Sequence, residues 1–209
     1  GTFLGLALST LGAYVLIQWD MPGRTFFANF LLFTMIFNGG MIPTYLVMKN
    51  LGLTNNLLGV VLLPAINIYN LVWMRNFFEG IPQSLFEAAT LDGCTPMATF
   101  IKVVLPLSKA VIAVLILYYA VYHWNDFFNA LMFNSNNDKD PLQIVLRSIL
   151  LLNEAFANGT GAGAGGYGQM FAEQVKYAAI IVSTLPILCV YPFIQKYFEK
   201  GVMIGAVKG

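Results

Sequence analysis

Five stretches of this chain run without a charged residue at or near the length of a membrane crossing: 1–19, 25–48, 50–74, 110–125 and 177–195. They are bounded by Asp20, Arg24, Lys49, Arg75, Lys109, Asp126, Lys176 and Lys196. A helix rises about 1.5 Å per residue and needs about 20 apolar residues to cross the hydrocarbon. The runs therefore predict five spans, over about 2–18, 26–47, 57–76, 107–124 and 177–195. Glycine and proline inside them (Gly12, Gly39, Gly40, Pro43, Pro64, Pro186) are tolerable in lipid, because neighbouring helices can satisfy the freed backbone groups.

Composition supports lipid as the solvent. Charged residues are 10% of the 209 and hydrophobic residues 58%, with a mean hydropathy of +0.70. An average soluble domain carries roughly 25% charged residues, and a soluble fold this apolar would lack polar groups to cover its surface. The net charge of +1 gives no reason to expect nucleic acid. Cys94 and Cys189 stand far apart with no CxxC or Cys/His spacing, which argues against a disulfide framework or a metal site. No cofactor motif stands out either. The chain begins at Gly1 and is already apolar there; Phe3 to Ile17 is too long and lacks the basic leader of a signal peptide. It reads as a chain whose N-terminal part is absent.

Lys and Arg set the orientation. With 77–106 and the C-terminus in the cytoplasm, Arg24, Arg75, Lys102, Lys109, Lys196, Lys200 and Lys208 lie inside, and Lys49, Lys139, Arg147 and Lys176 outside. That is the sign of the positive-inside bias. Trp19, His123, Trp124, Tyr191 and Tyr197 sit near span ends, as interfacial aromatics do. Two connections are long: 77–106 inside and 125–176 outside, the latter holding the glycine-rich stretch 158–168. That stretch predicts a poorly ordered loop over 153–170, with contact to an external protein as its functional reading.

The inner connection reads IPQSLFEAATLDGCTPMATFIKVVLP over 81–106. Ser84 with Glu87 three residues on predicts a capping box and a short helix to Asp92. Gly93 is a left-handed stop. Thr95 and Pro96 then restart a helix as N-cap and first residue. Ala88 and Ala89 are small enough to let a partner surface come close. An ordinary interfacial loop has the same local features.

The spacing goes further. Glu87-Ala88-Ala89, Gly93, Val103 and Leu105-Pro106 resemble the EAA motif of bacterial ABC import permeases, with Val103 where the family usually has Ile. GGMIPTYLVMKNLGLTNN at 39–56, HWNDFFNAL at 123–131, PLQIVLR at 141–147 and QKYFEKGVMIGAVKG at 195–209 also resemble the carbohydrate importers, most of all those handling oligosaccharides and polysaccharide fragments. The resemblance implies an all-α polytopic membrane protein of the bacterial cytoplasmic membrane with its C-terminus cytoplasmic. The fold would be the ABC type I importer transmembrane domain, with five spans visible of six. Residues 1–209 would form a single permease domain with 81–106 as its coupling loop. The implied partners are a second permease, two cytoplasmic ATPase subunits and an extracytoplasmic sugar-binding protein. Ser84, Glu87, Ala88, Ala89, Asp92, Gly93, Leu105 and Pro106 would be the ATPase-coupling residues.

Other features point elsewhere only weakly. Gly161, Gly163 and Gly166 match GxGxxG without the strand and helix that motif needs. No GxxxxGK[ST] is present, so ATP chemistry would belong to another polypeptide. The lone His123 beside Trp124 reads as an interfacial side chain, and Asn158-Gly159-Thr160 is a sequon by pattern alone. Asn38, Asn67, Asn70, Tyr69, Tyr118, Tyr119 and Tyr122 lie within spans. They serve either helix–helix hydrogen bonding or a polar, uncharged sugar path, for which Asn67, Asn70, Tyr118, Tyr119 and Tyr122 are the candidates. An ion-gradient transporter would place ionisable residues inside its spans, and the span interiors hold none. An intramembrane enzyme would need a Ser/His pair, paired aspartates or HExxH, all missing. A passive membrane scaffold leaves the loop spacing without a reason.

Overall fold

The computed structural model describes residues 1–18, 20–134, 140–157, 174–192 and 195. Trp19, Lys139, the glycine-rich stretch 158–168, and 196–209 with Tyr197 lie outside the described residues. Among the described residues the regular structure is all helical: α1 Thr2–Ile17, α2 Arg24–Ile36, α3 Met41–Asn50, α4 Leu57–Leu62, α5 Ile68–Glu79, α6 Gln83–Leu91 and α7 Pro96–Thr99. A π-helical turn, Phe100–Val104, leads to α8 Leu105–Leu107, α9 Lys109–Trp124, α10 Phe128–Phe133 and α11 Leu142–Ala157. Gln174–Pro192 is α12.

The expectation of five long helices needs correction, because two of the five runs are divided between separate helices. The run at 26–47 breaks between α2 and α3, which meet at 118°. Asn38 causes part of this, since its Oδ1 accepts from the Gly40 amide at 2.9 Å and closes a side-chain turn in place of a helical bond. The run at 57–76 is interrupted between α4 and α5 around Pro64, which has no N–H to give. Asn67 then caps α5 by accepting from the Asn70 amide at 3.3 Å. The expected connection at 125–176 holds α10 and α11, so most of its first half is helical. By length and composition, α12 alone among the described residues could cross a membrane as one helix. The number rises to three if each bent pair serves as one span.

The chain forms two compact units. The described residues of the first come from Gly1–Leu46 and Val61–Ala120, with Gln195. Its core gathers Ala13, Tyr14 and Ile17 of α1 with Met74 and Phe78 of α5, Phe100 and Val104 of the π turn, and Leu115 of α9. Small residues on α1 permit close approach. A Cβ placed on Gly5 would lie 2.6 Å from Tyr119 Cε1, and one turn on, Ser9 shares a hydrogen bond with the Tyr119 hydroxyl. Tyr119 is 1% exposed. Its oxygen also accepts from the Asn67 amide at 3.2 Å, so a donor freed by the break before α5 is satisfied inside the bundle, as lipid demands.

The second unit comes from Val47–Val60 and Val121–Phe193. The Asn55 amide donates to the Phe133 carbonyl at 2.6 Å. The Trp124 indole donates to the Ser183 carbonyl of α12 at 3.1 Å, and the Arg147 guanidinium of α11 lies 5.2 Å from the Phe127 ring centre. Asn129 joins this end of α9 to α10, donating to Tyr122 at 3.3 Å and to Asp126 at 3.2 Å.

Candidate functional site

The inner loop folds as helix, glycine corner, helix. Its first helix differs from expectation in how it starts. Pro82 stands at the N-cap, α6 begins at Gln83, and no side chain caps it. The Ser84–Glu87 capping box does not form. Proline has its φ already fixed and no amide to satisfy, so the helix starts directly after it, which draws Ser84 into the first turn. The end of α6 is as the residues predict. Gly93 has φ +74°; its amide donates to the Thr90 carbonyl at 3.0 Å, and the Cys94 amide to the Ala89 carbonyl at 2.9 Å. These two bonds make a Schellman motif, with Asp92 at the C-cap.

The second helix starts as expected. Thr95 Oγ1 accepts from the Ala98 amide at 3.3 Å, and Pro96 occupies the first position. The π turn that follows was not read from the sequence. Its signal was Pro106: a proline ring clashes with the carbonyl four residues back, and widening the turn to a five-residue bond, Leu105 amide to Phe100 carbonyl, makes room for it. Leu105 and Pro106 thus form α8, and the chain turns 84° at Ser108 before α9.

Along α6, Ala89 is buried while Ser84, Glu87, Ala88 and Asp92 are exposed. A cavity of about 740 Å³ lies beside this helix. Gln83, Phe86, Glu87, Thr90 and Leu91 form one wall, and Arg24 and Glu79 belong to the other. Glu79 Oε1 accepts from Arg24 at 3.2 Å and from Arg75 at 2.8 Å. Of the cavity-lining residues, only Glu87 was singled out from the sequence. The spacing of 83, 86, 87 and 90, one face of a helix, was the signal available.

The span candidates do not come together as one group. Asn67, Asn70 and Tyr119 meet at the start of α5, where Asn67 caps the helix and Asn70 and Tyr119 are buried. Tyr118 faces outward, 42% exposed, with its ring edge-on to Trp73 at 5.5 Å. Tyr122 is exposed and belongs to the second unit. Within the described residues no cluster of three His, Cys, Asp or Glu side chains forms.

The sequence profile of the family described as binding-protein-dependent transport system inner membrane component matches residues 23–204. The protein LplC of Bacillus subtilis (strain 168) is 45% identical over 210 residues, covering 100% of this chain and 70% of that protein. The polygalacturonan/rhamnogalacturonan transport system permease protein YtcP of the same organism is 43% identical over 209 residues, covering 100% of this chain and 73% of that protein. Among solved structures, a bacterial ABC transporter involved in the import of the acidic polysaccharide alginate is similar with a TM-score of 0.82 and 35% identity. That match covers 94% of this chain and 71% of the other.

Proposed function

Because the chain belongs to the family of binding-protein-dependent transport system inner membrane components, we propose that it is a permease subunit of an ATP-driven importer of polysaccharide-derived oligosaccharides. The observation that carries this reading is the 45% and 43% identity with LplC and YtcP across the whole chain. YtcP is named for polygalacturonan and rhamnogalacturonan, and the similar structure is that of an alginate importer. In this reading a second permease completes the pathway, two separate cytoplasmic subunits hydrolyse ATP, and an extracytoplasmic binding protein delivers the sugar. The C-terminus and the 81–106 loop face the cytoplasm. Residues 1–209 act as one permease domain.

The loop is the coupling element of this proposal. α6 presents Ser84, Glu87, Ala88 and Asp92 to the ATPase, with Ala88 leaving room for its backbone. Gly93 aims the helix, and Leu105 and Pro106 fix the length of the arm behind it. Asn67, Asn70, Tyr118, Tyr119 and Tyr122 remain candidates for the sugar path. Tyr118, exposed beside Trp73, offers a ring to a sugar, as does the equally exposed Tyr122.

The test is Gly93→Val. A Cβ at Gly93 would meet nothing within 4 Å, so the penalty is conformational alone: roughly 1–2 kcal/mol for an L residue in the left-handed region, more for a β-branched one. In membrane vesicles holding the complete transporter, we expect unchanged insertion, weakened ATPase retention in a pull-down, and oligogalacturonide uptake lowered about tenfold, the change in docking affinity that a strain of this size gives. Wild-type uptake and retention in Gly93→Val would reject the coupling role. No ATP-dependent oligogalacturonide uptake by the unsubstituted transporter would reject the substrate class.

A further inference from the structure

The arm that carries the coupling loop is an elbow. α7, the π turn and α8 run on without a gap from Pro96 to Leu107, then turn 84° into α9. The corner is made of local bonds. Both the amide and the hydroxyl of Ser108 turn back to the Val104 carbonyl, at 3.0 and 2.7 Å. A π turn on one arm interrupts the regular helical ladder as well, and such turns recur at functional sites. Left to itself this elbow would bend when α6 was pushed, and the push would not reach α9.

One helix grips both arms. Tyr14 of α1, 7% exposed, donates its hydroxyl to the Pro96 carbonyl at 2.8 Å. Its ring lies 4.8 Å from that of Phe100 on the same arm. Little more than one turn back along α1, Ser9 bonds Tyr119 on the other arm, where Gly5 leaves the notch that admits the Tyr119 ring. The two attachment points lie five residues apart on α1, while their partners sit on the two different arms of the elbow. The Pro96 carbonyl already accepts from the Phe100 amide. The fold of α7 therefore does not need the Tyr14 bond; what that bond adds is a tie between α1 and the corner where α6 meets α7.

We propose that α1 is a strap that holds the coupling elbow rigid, with Tyr14 as the positioning residue that ties the strap to the loop at Pro96. The proposal rests on reading 81–106 as the coupling loop. Movement imposed on α6 then passes to α9 as a rigid-body displacement and is not absorbed at the π turn. Tyr14 touches neither sugar nor nucleotide and acts only through the loop.

Tyr14→Phe removes the tie: the ring stays against Phe100, and the hydroxyl is lost with its bonds to Pro96 and to the nearby Gln18 side chain. Spin labels on Leu91→Cys in α6 and Ile116→Cys in α9, with Cys94→Ser and Cys189→Ser, report the elbow by double electron–electron resonance. The sample is the complete transporter in nanodiscs, with and without Mg-ATP. We expect one narrow distance with the native Tyr14, unchanged by nucleotide. Tyr14→Phe should broaden it, with an about fivefold larger share of bent elbow, the population change that one lost hydrogen bond gives, and should make it respond to Mg-ATP. Thermal stability should stay near that of the parent, since a purely structural role would lower stability without nucleotide dependence. Ser9→Ala, which frees the other end, should broaden the distance in the same way. A narrow, nucleotide-independent distance in Tyr14→Phe would overturn the proposal, as would an ATP-dependent distance with Tyr14 intact. Failure of the chain to retain ATPase subunits rejects the importer reading instead. The widths measured without nucleotide still decide the strap.

Discussion

Ser84 and Thr95 both look like caps in the sequence, and the structure gives the role to only one of them. Thr95 Oγ1 holds the Ala98 amide, whereas α6 starts at Gln83 behind Pro82 and leaves Ser84 in its first turn. The two substitutions should therefore part company. Thr95→Ala should cost about 1 kcal/mol, the usual loss for a removed N-cap. Ser84→Ala should stay within about 0.5 kcal/mol, as exposed substitutions away from such features do. Chemical denaturation of the detergent-solubilised protein, followed by helical circular dichroism, measures both. An equal loss at both positions would mean that Ser84 caps α6 after all.

At the scale of elements, Tyr119 of α9 joins α1 to the head of α5. Its hydroxyl is shared by Ser9 and by the Asn67 amide at the head of α5. Tyr119→Phe keeps the ring in the notch above Gly5 but takes a partner from the buried Ser9 hydroxyl and from the half-buried Asn67 amide. A buried group left without its partner costs about 1–3 kcal/mol. The expected result is a lower midpoint of thermal aggregation in detergent, with faster amide exchange at Asn67 than at amides in the middle of α5. Unchanged exchange at Asn67 would show that this amide finds another acceptor. The same contact bears on the role of the span polar residues. Tyr119 holds helices together, which is what polar side chains in lipid do by default, while the Asn67 side chain caps its own helix and Tyr118 turns its ring outward.

At the scale of the whole molecule, orientation is the property the proposed function needs most. Cysteines introduced at Lys49 and Leu91, in a background with Cys94 and Cys189 replaced by Ser, should label from opposite sides. A membrane-impermeant maleimide added outside intact cells should reach Lys49→Cys. Leu91→Cys, on the exposed face of α6, should react only after the cells are opened. A green fluorescent protein fused to the C-terminus should fluoresce, and alkaline phosphatase at the same place should stay inactive. Labelling of Leu91→Cys from outside would invert the topology and remove the coupling loop from the ATPase side.

Apolar character and loop chemistry were readable in the residues because each acts locally. A charge-free run leaves water whatever its order in the fold, Gly93 accepts a left-handed φ at no steric cost, and Thr95-Pro96 starts a helix from its own side chains. The EAA spacing marked the loop for the same reason, since it is a pattern along the chain. Helix continuity was not readable. Periodicity cannot show that Asn38 will cap a turn, that Asn67 will cap α5 behind Pro64, or that Pro106 will open a π turn behind it, because each break competes with packing around it. The polar residues of the spans stayed ambiguous until their neighbours were known. Tyr14 drew no notice as a phenol in an apolar run. Its meaning comes from the Pro96 carbonyl, distant in sequence and brought within hydrogen-bonding reach only when α1 packs against the loop.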